Sequence, residues 1–135
     1  MSEENVEVSR GAFEAIMRHD GEAFRRLYDP DIEWEDASGL WGDWGTRRGL
    51  GDVQDAFQDW FEAFEEEIDF ELENIADAGG DQVISSVGIR ARGRISGLVV
   101  NQVIHFVSTV HGGRVVRIRA YREWTEALEA AGLSE

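Results

Sequence analysis

The chain of 135 residues contains no cysteine, no lysine and a single proline. The absence of cysteine excludes disulfides, thiolate zinc sites and a cysteine nucleophile. The absence of lysine excludes Schiff-base chemistry and the lysine of a phosphate-binding Walker loop. Three histidines remain, and we predict neither a metal site nor a cofactor. The exclusive use of arginine as the basic residue is typical of a GC-rich bacterial genome.

Long apolar runs are also missing, and none approaches the roughly 18 residues that a membrane-spanning helix needs. The first seven residues, Met1–Glu7, are acidic, whereas a secretory signal peptide begins with basic residues. We therefore expect a soluble cytoplasmic protein with no membrane partner.

Positive charge is scarce, because 28 acidic residues stand against 13 basic ones and give a formal net charge of −15. A polyanion would be repelled by most of this surface, so we do not expect nucleic acid as a partner. Hydrophobic residues make up 42% of the chain and include five tryptophans. Together with the length, this composition predicts one domain over residues 1–135 with a substantial core.

The first half of the chain has mainly helical periodicity. Apolar spacing predicts an amphipathic helix over residues 3–18 and a short second helix that Asp20 caps and Pro30 stops. Residues 32–35 are typical of a short strand, and residues 36–48 predict a long loop. A third helix is expected from Asp52 to Glu66.

After the third helix the period of the apolar residues changes from 3.6 to 2, which indicates strands. We predict strands beginning near residues 68, 82, 98 and 115, and a terminal helical turn over residues 125–131. Both faces of the strand over residues 98–110 are apolar, although helices can cover only one face of the sheet. The pattern predicts the α+β class with a curved antiparallel β-sheet, and a homodimer formed through its outer face.

Two polar residues are candidates for chemistry. Asp36 opens the aromatic-rich loop, where Trp34, Trp41 or Trp44 could desolvate its carboxylate and raise its pKa. His105 lies in the middle of an otherwise apolar strand face. The alternatives are that Asp36 caps a turn and that His105 is a core or interface residue.

The other charged patterns have structural interpretations as well. Acids alternate along residues 29–35, which is typical of a solvated strand face and lacks the bent loop that a metal site needs. Arginines of the last strands could pair with the acids of residues 68–73. By strand parity, Arg92 or Arg122 could instead enter a pocket and bind a ligand carboxylate.

The segments "GAFEAIMRHDGEAFRRLYDPDIEWED", "RRGLGDVQDAFQDWFEAF", "GRISG", "GGRVVRIRAY" and "EALEAAGL" resemble the SnoaL-like branch of the nuclear transport factor 2-like superfamily, nearly along the whole chain. This resemblance implies a cone, in which a curved sheet wraps three helices around an internal pocket, and a dimer across the outer sheet face. In such a pocket, we predict that the ligand contacts Tyr28, Trp34, Trp41, Trp44, Phe57, Trp60, Asn101 and Val103.

The resemblance also suggests roles for the two polar candidates. Asp36 falls on the general base of the ketosteroid isomerases, and His105 falls near the position of their oxyanion-hole acid. The sequence departs from these isomerases at Ala12 or Phe13, which stand where the isomerases have a hydrogen-bonding tyrosine. A two-donor oxyanion hole is therefore not expected.

Three functions remain open at this level. The first is a cofactor-independent enzyme that transfers protons on a hydrophobic carbonyl compound, as isomerases, cyclases and dehydratases do, with Asp36 as base and His105 as acid. The second is a protein that binds a small hydrophobic molecule without catalysis. The third is a dimeric structural or regulatory module. In the first two, the loop Gly39–Gly45 would form a lid over the pocket.

Overall fold

The computed structural model describes residues 2–38, 45–63, 68–93, 97 and 99–133. Within them lie four helices and six strands, which we number in chain order: α1 (Ser2–Met17), α2 (Gly21–Leu27), β1 (Tyr28–Asp36), β2 (Thr46–Arg48), α3 (Leu50–Ala63), β3 (Asp69–Gly79), β4 (Gln82–Arg92), β5 (Val99–His111), β6 (Arg114–Tyr121) and α4 (Trp124–Ala130).

The helix boundaries predicted around α2 agree with the structure. The side chain of Asp20 caps α2 by accepting a hydrogen bond of 3.1 Å from the Ala23 amide. After α2, the chain enters β1 directly at Tyr28, so this strand is longer at both ends than the predicted residues 32–35. Thr46–Arg48, predicted as loop, forms the short strand β2 against the end of β1.

The six strands form one open curved sheet in the order β2-β1-β6-β5-β4-β3. The α+β class is confirmed, but the sheet is mixed, because β1 runs parallel to β6. All other neighbouring pairs are antiparallel. The parallel pair joins residues about 85 positions apart, such as Tyr28 and Val115, and no local turn signal in the sequence could have revealed it.

The core lies between the inner face of this sheet and helices α1, α2 and α3. On β5 the inner face carries Val100, Ile104 and Phe106, which pack with the helix residues Ala12 and Val53. Ile104 and Val53 are completely buried. The burial of these apolar side chains supplies the main driving force that holds the helices in the sheet's concave face.

The outer face of the sheet is only partly covered. Helix α4 packs over Ile84 and Val107 through Ala127 and Ala131. Farther along β5 on this face, Val99 is 60% exposed and Val103 is 38% exposed. In the described part of the chain, no helix combines the length and the apolarity needed to cross a membrane.

Candidate functional site

A surface groove of about 440 Å³ lies between the α1–α2 corner and helix α3. Its floor is apolar, and its rim carries one imidazole, two side-chain amides and two carboxylates. The lining residues are Ala15, Ile16, His19, Asp20, Gly21, Phe24, Gln54, Phe57, Gln58, Phe61 and Glu62. An apolar concavity with a few polar groups around it is the usual form of a small-molecule site.

The corner of the groove is built by the end of α1. The amide of His19 donates to the carbonyl of Ile16 at 3.2 Å, and the amide of Asp20 donates to the carbonyl of Ala15 at 2.9 Å. This pair of bonds requires a left-handed residue after the helix, and His19 has a φ of 54°. The imidazole then lies against Phe61 of α3, with 4.7 Å between the ring centroids.

The groove floor continues into the protein interior. Two small voids, of about 40 and 30 Å³, lie between the helices and the inner sheet face. Ile16 borders the groove and both voids, and Phe57 borders the groove and the smaller void. Both voids also contact Trp34 and Phe106. The groove and the two voids therefore share wall residues and are separated by only a few side chains.

Aromatic rings form the wall between groove and interior. Trp34 lies edge-on to Phe57 at 4.9 Å, and Phe57 lies 6.0 Å from Phe61. Trp60 contacts Phe61 at 5.7 Å and Phe70 at 5.8 Å. Of the predicted wall residues, Trp34 and Phe57 are in contact, and Trp60 is linked to them through Phe61 but borders neither the groove nor the two voids.

Tyr28 lines the larger of the two voids, but its hydroxyl has a structural partner. The hydroxyl donates to the carbonyl of Ala12 at 3.1 Å, and the ring packs against Phe24 at 4.6 Å. Burial raises the pKa of Tyr28, so the phenol stays protonated. This bond ties β1 to the middle of α1.

Asp36 lies at the end of β1, on the row of the sheet that continues through Ala120 and Phe106. Its Oδ1 accepts a hydrogen bond of 2.8 Å from the Ser38 amide and a second one from the Ser38 hydroxyl. These are the bonds of a turn cap. They match the alternative interpretation of Asp36 given above.

His105 lies on the outer face of β5 and not in the interior. Its Nδ1 is 2.7 Å from the hydroxyl oxygen of Ser86, and its ring lies 5.5 Å from that of Trp124 in α4. Desolvation lowers the pKa of His105, although the charges of Glu123 and Glu73 act in the opposite direction.

The expectation that Asp36 and His105 face one pocket is therefore corrected. The cause is strand alternation: successive side chains of a strand point to opposite faces. Phe106, in register with the row of Asp36, faces inward, so its neighbour His105 faces outward. The sequence showed two apolar faces on β5 but contained no local signal for which one meets the helices.

Four predicted ligand contacts lie away from the groove and the voids, three of them because of strand alternation. Asn101 and Val103 share the outer face with His105, and Arg92 is in register with Val99 on that face. Arg122 is exposed beyond the end of β6. None of these four residues borders the groove or the two voids. Trp41, Trp44 and residues 39–44 of the predicted lid lie outside the described residues.

The acids of residues 29–35 are used in local structure. Asp29 accepts a hydrogen bond of 2.8 Å from the Asp31 amide, and Glu33 lies 3.4 Å from Arg48 and 3.9 Å from Arg117. Among the described residues, no cluster of three or more acidic or histidine side chains is arranged to hold a metal ion.

Sequence reasoning missed the polar rim of the groove, above all His19, Gln54 and Gln58. Its available signals were a histidine at a helix end and two amides spaced i, i+4 on α3. It also missed Gln102, whose side-chain oxygen is buried without a hydrogen-bond partner in the described part of the chain.

Comparison with known proteins agrees with the fold described above. Residues 9–118 match the family model of the SnoaL-like domain. An NTF2-like protein of Burkholderia xenovorans is 24% identical, with 97% of each chain covered and a TM-score of 0.76. IdmH of Streptomyces antibioticus, a candidate polyketide cyclase, is 22% identical over 96% of this chain and 99% of its own, with a TM-score of 0.73.

A third similar structure is TerC co-crystallised with polyporic acid, which is 16% identical. It covers 96% of this chain and 98% of its own, with a TM-score of 0.74. No curated protein matches the chain. The fold, with helices held in a curved sheet, is similar to that of NTF2-like proteins. The chain belongs to the SnoaL-like domain family.

Proposed function

We propose that this protein binds a small hydrophobic molecule in the groove between the α1–α2 corner and α3. The observation that carries the proposal is the continuity of the apolar floor from the groove through Ile16 and Phe57 to the voids beside Trp34. A groove of about 440 Å³ falls within the range of roughly 300–1,000 Å³ that is usual for small-molecule sites.

The structure gives more support to binding than to proton transfer in which Asp36 and His105 would act as base and acid. A general acid and base must both reach the reacting atoms, whereas Asp36 lies on the inner row and His105 contacts Trp124 on the outer face. The co-crystals of TerC support the proposal to this extent: a protein of the same fold was obtained with a small organic molecule, polyporic acid.

The test is a substitution that fills the groove without disturbing the core. Gln58 lines the groove from the exposed side of α3, so Gln58→Trp should occupy much of its volume. The matched control is Asp59→Trp, because Asp59 is the next residue, equally exposed and absent from the groove lining. Binding of 2-acetonaphthone, a neutral naphthyl ketone, is followed by ligand-observed NMR.

We expect Gln58→Trp to weaken binding of 2-acetonaphthone at least about tenfold, since the groove walls then exclude the ring system. Asp59→Trp should bind as the wild-type protein does. Equal binding by the two variants would contradict the groove as the site. No binding of the ketone to the wild-type protein would contradict the proposal as a whole.

A second proposal concerns assembly, and it has a separate observation behind it. Val99 and Val103 are exposed on the outer face of β5, beyond the area that α4 covers. Both side chains point to the same face of β5, with Asn101 between them, and exposed valines on a sheet face favour an interface. We propose that a second copy of this chain covers them and forms a homodimer, whose mass light scattering would give as twice 15.2 kDa.

A further inference from the structure

The ends of helices α1 and α4 use the same hydrogen-bond pattern with different residues. At α4, Gly132 has a φ of 79°, its amide donates to Glu129, and the next amide donates to Leu128. At α1, His19 occupies the equivalent position with a φ of 54°. Glycine adopts this left-handed backbone without steric cost, whereas a residue with a Cβ does not.

His19 adopts a left-handed backbone that costs a residue with a Cβ more than glycine, and such a conformation points to a function for the side chain. The imidazole of His19 is exposed at the rim of the groove and lies 4.7 Å from the ring of Phe61, tilted by 57°. The left-handed corner therefore places the imidazole above the aromatic floor of the groove. The proposed ligand would enter beside it.

The charges around the groove restrict what kind of ligand could use His19. Among the described residues, those that line the groove include the carboxylates of Asp20 and Glu62 and no arginine, and the chain has a net charge of −15. An anionic ligand would meet repulsion from these groups. The oxygen Oδ1 of Asp20 already accepts the Ala23 amide, whereas an imidazole N–H is a donor suited to a neutral carbonyl oxygen.

We propose that His19 is a ligand-binding residue, which donates a hydrogen bond to the carbonyl oxygen of an uncharged, flat aromatic ketone lying on Phe61. This inference rests on the groove being the binding site. It deepens that function by assigning a substrate class and a recognition group. Gln54 and Gln58 of α3 lie on the same rim, and their side-chain NH2 groups can also donate hydrogen bonds.

The experiment compares two probes that differ only in the acceptor, 2-acetonaphthone and 2-ethylnaphthalene, by ligand-observed NMR. Three proteins are compared: the wild type, His19→Gly and His19→Asn. The glycine variant removes the steric cost of the left-handed backbone and also removes the imidazole N–H donor. Asparagine tolerates the left-handed conformation and keeps an N–H donor.

We expect His19→Gly to bind the ketone about three- to tenfold more weakly, which is the worth of one hydrogen bond. Its affinity for 2-ethylnaphthalene should change less than about twofold, and its melting temperature should rise. His19→Asn should recover part of the affinity for the ketone. A purely structural His19 would affect both probes equally or neither.

The outcomes separate the two proposals. If both probes bind to the wild type, and His19→Gly weakens them to the same degree or leaves both unchanged, the role of His19 is overturned and the groove remains the binding site. If neither probe binds to the wild type, the binding function and the role of His19 are both overturned. A ketone-specific loss supports both.

Discussion

The two faces of β5 carry similar apolar residues but have different surroundings. On the inner face, Ile104 is completely buried between the sheet and the helices. On the outer face, its neighbour Val103 is 38% exposed. Composition therefore does not distinguish the faces, whereas coverage does. The inner face contributes to the core and borders the two voids through Phe106, and the outer face carries the surface that we propose for assembly.

The comparison is sharpest at the adjacent residues Ile104 and Val103. Ile104→Ala should lower the free energy of unfolding by about 2–5 kcal/mol, because it leaves a cavity at a completely buried site. Val103→Ala should cost less than about 1 kcal/mol in the monomer, since water already reaches this side chain. Urea denaturation at low protein concentration measures both. Similar losses at the two sites would contradict the assignment of the faces.

The outer face can be tested by introducing a charge. If the proposed dimer forms, Val103→Asp should raise its dissociation constant at least about tenfold, because an unpaired carboxylate would be buried in the interface. Thr46→Asp on the edge strand β2 adds the same charge at an exposed site and should leave the assembly intact. Light scattering checks both, and a wild-type mass of 15.2 kDa at micromolar concentration would contradict the dimer.

Asp36 belongs to the inner row, and its bonds to Ser38 predict a structural effect. Asp36→Ala should lower the free energy of unfolding by about 0.5–2 kcal/mol, the usual cost of losing a cap. Asp36→Asn should cost less, because the amide oxygen can still accept the Ser38 amide. Thermal melting measures both. If Asp36→Ala is as stable as the wild type, the carboxylate has no structural role, and a functional role for Asp36 is favoured instead.

Much of the fold follows from local patterns in the sequence. The 3.6-residue period predicts α1 and α3, and the cap at Asp20 predicts the start of α2. The two-residue period predicts β5, and the glycine pair Gly112-Gly113 predicts the hairpin that follows it. These features depend on interactions between residues close in the chain, so a window of a few residues is enough to detect them.

The site was less predictable, because it depends on contacts between distant parts of the chain. His19 meets Phe61 across 42 positions, and this contact exists only once α1 and α3 are packed together. Whether the His105 side chain points inward or outward depends on which face of β5 packs against helices α1, α2 and α3. Aromatic wall residues were predicted because large apolar side chains collect in any core, whereas the polar rim had no comparable general rule.

His105 provides the weakest but most specific contrast between the faces. Its pKa is lowered in the folded protein, mainly by desolvation on the outer face. Protonation is then easier in the unfolded chain than in the folded one. The contribution of His105 to stability is therefore present above the unfolded pKa of about 6.5 and is lost as the pH falls through the lower folded value.

The protein carries many other charged groups, so the wild type alone cannot isolate this effect. The measurement is the difference in free energy of unfolding between wild type and His105→Gln, followed from pH 8 to pH 5 by urea denaturation. The difference should shift against the wild type as the pH falls, because the glutamine does not titrate. Since Ser86 holds the ring and Glu73 and Glu123 partly offset the desolvation, the change should be small. A difference that moves in favour of the wild type at low pH would show that these two carboxylates outweigh desolvation at the outer face.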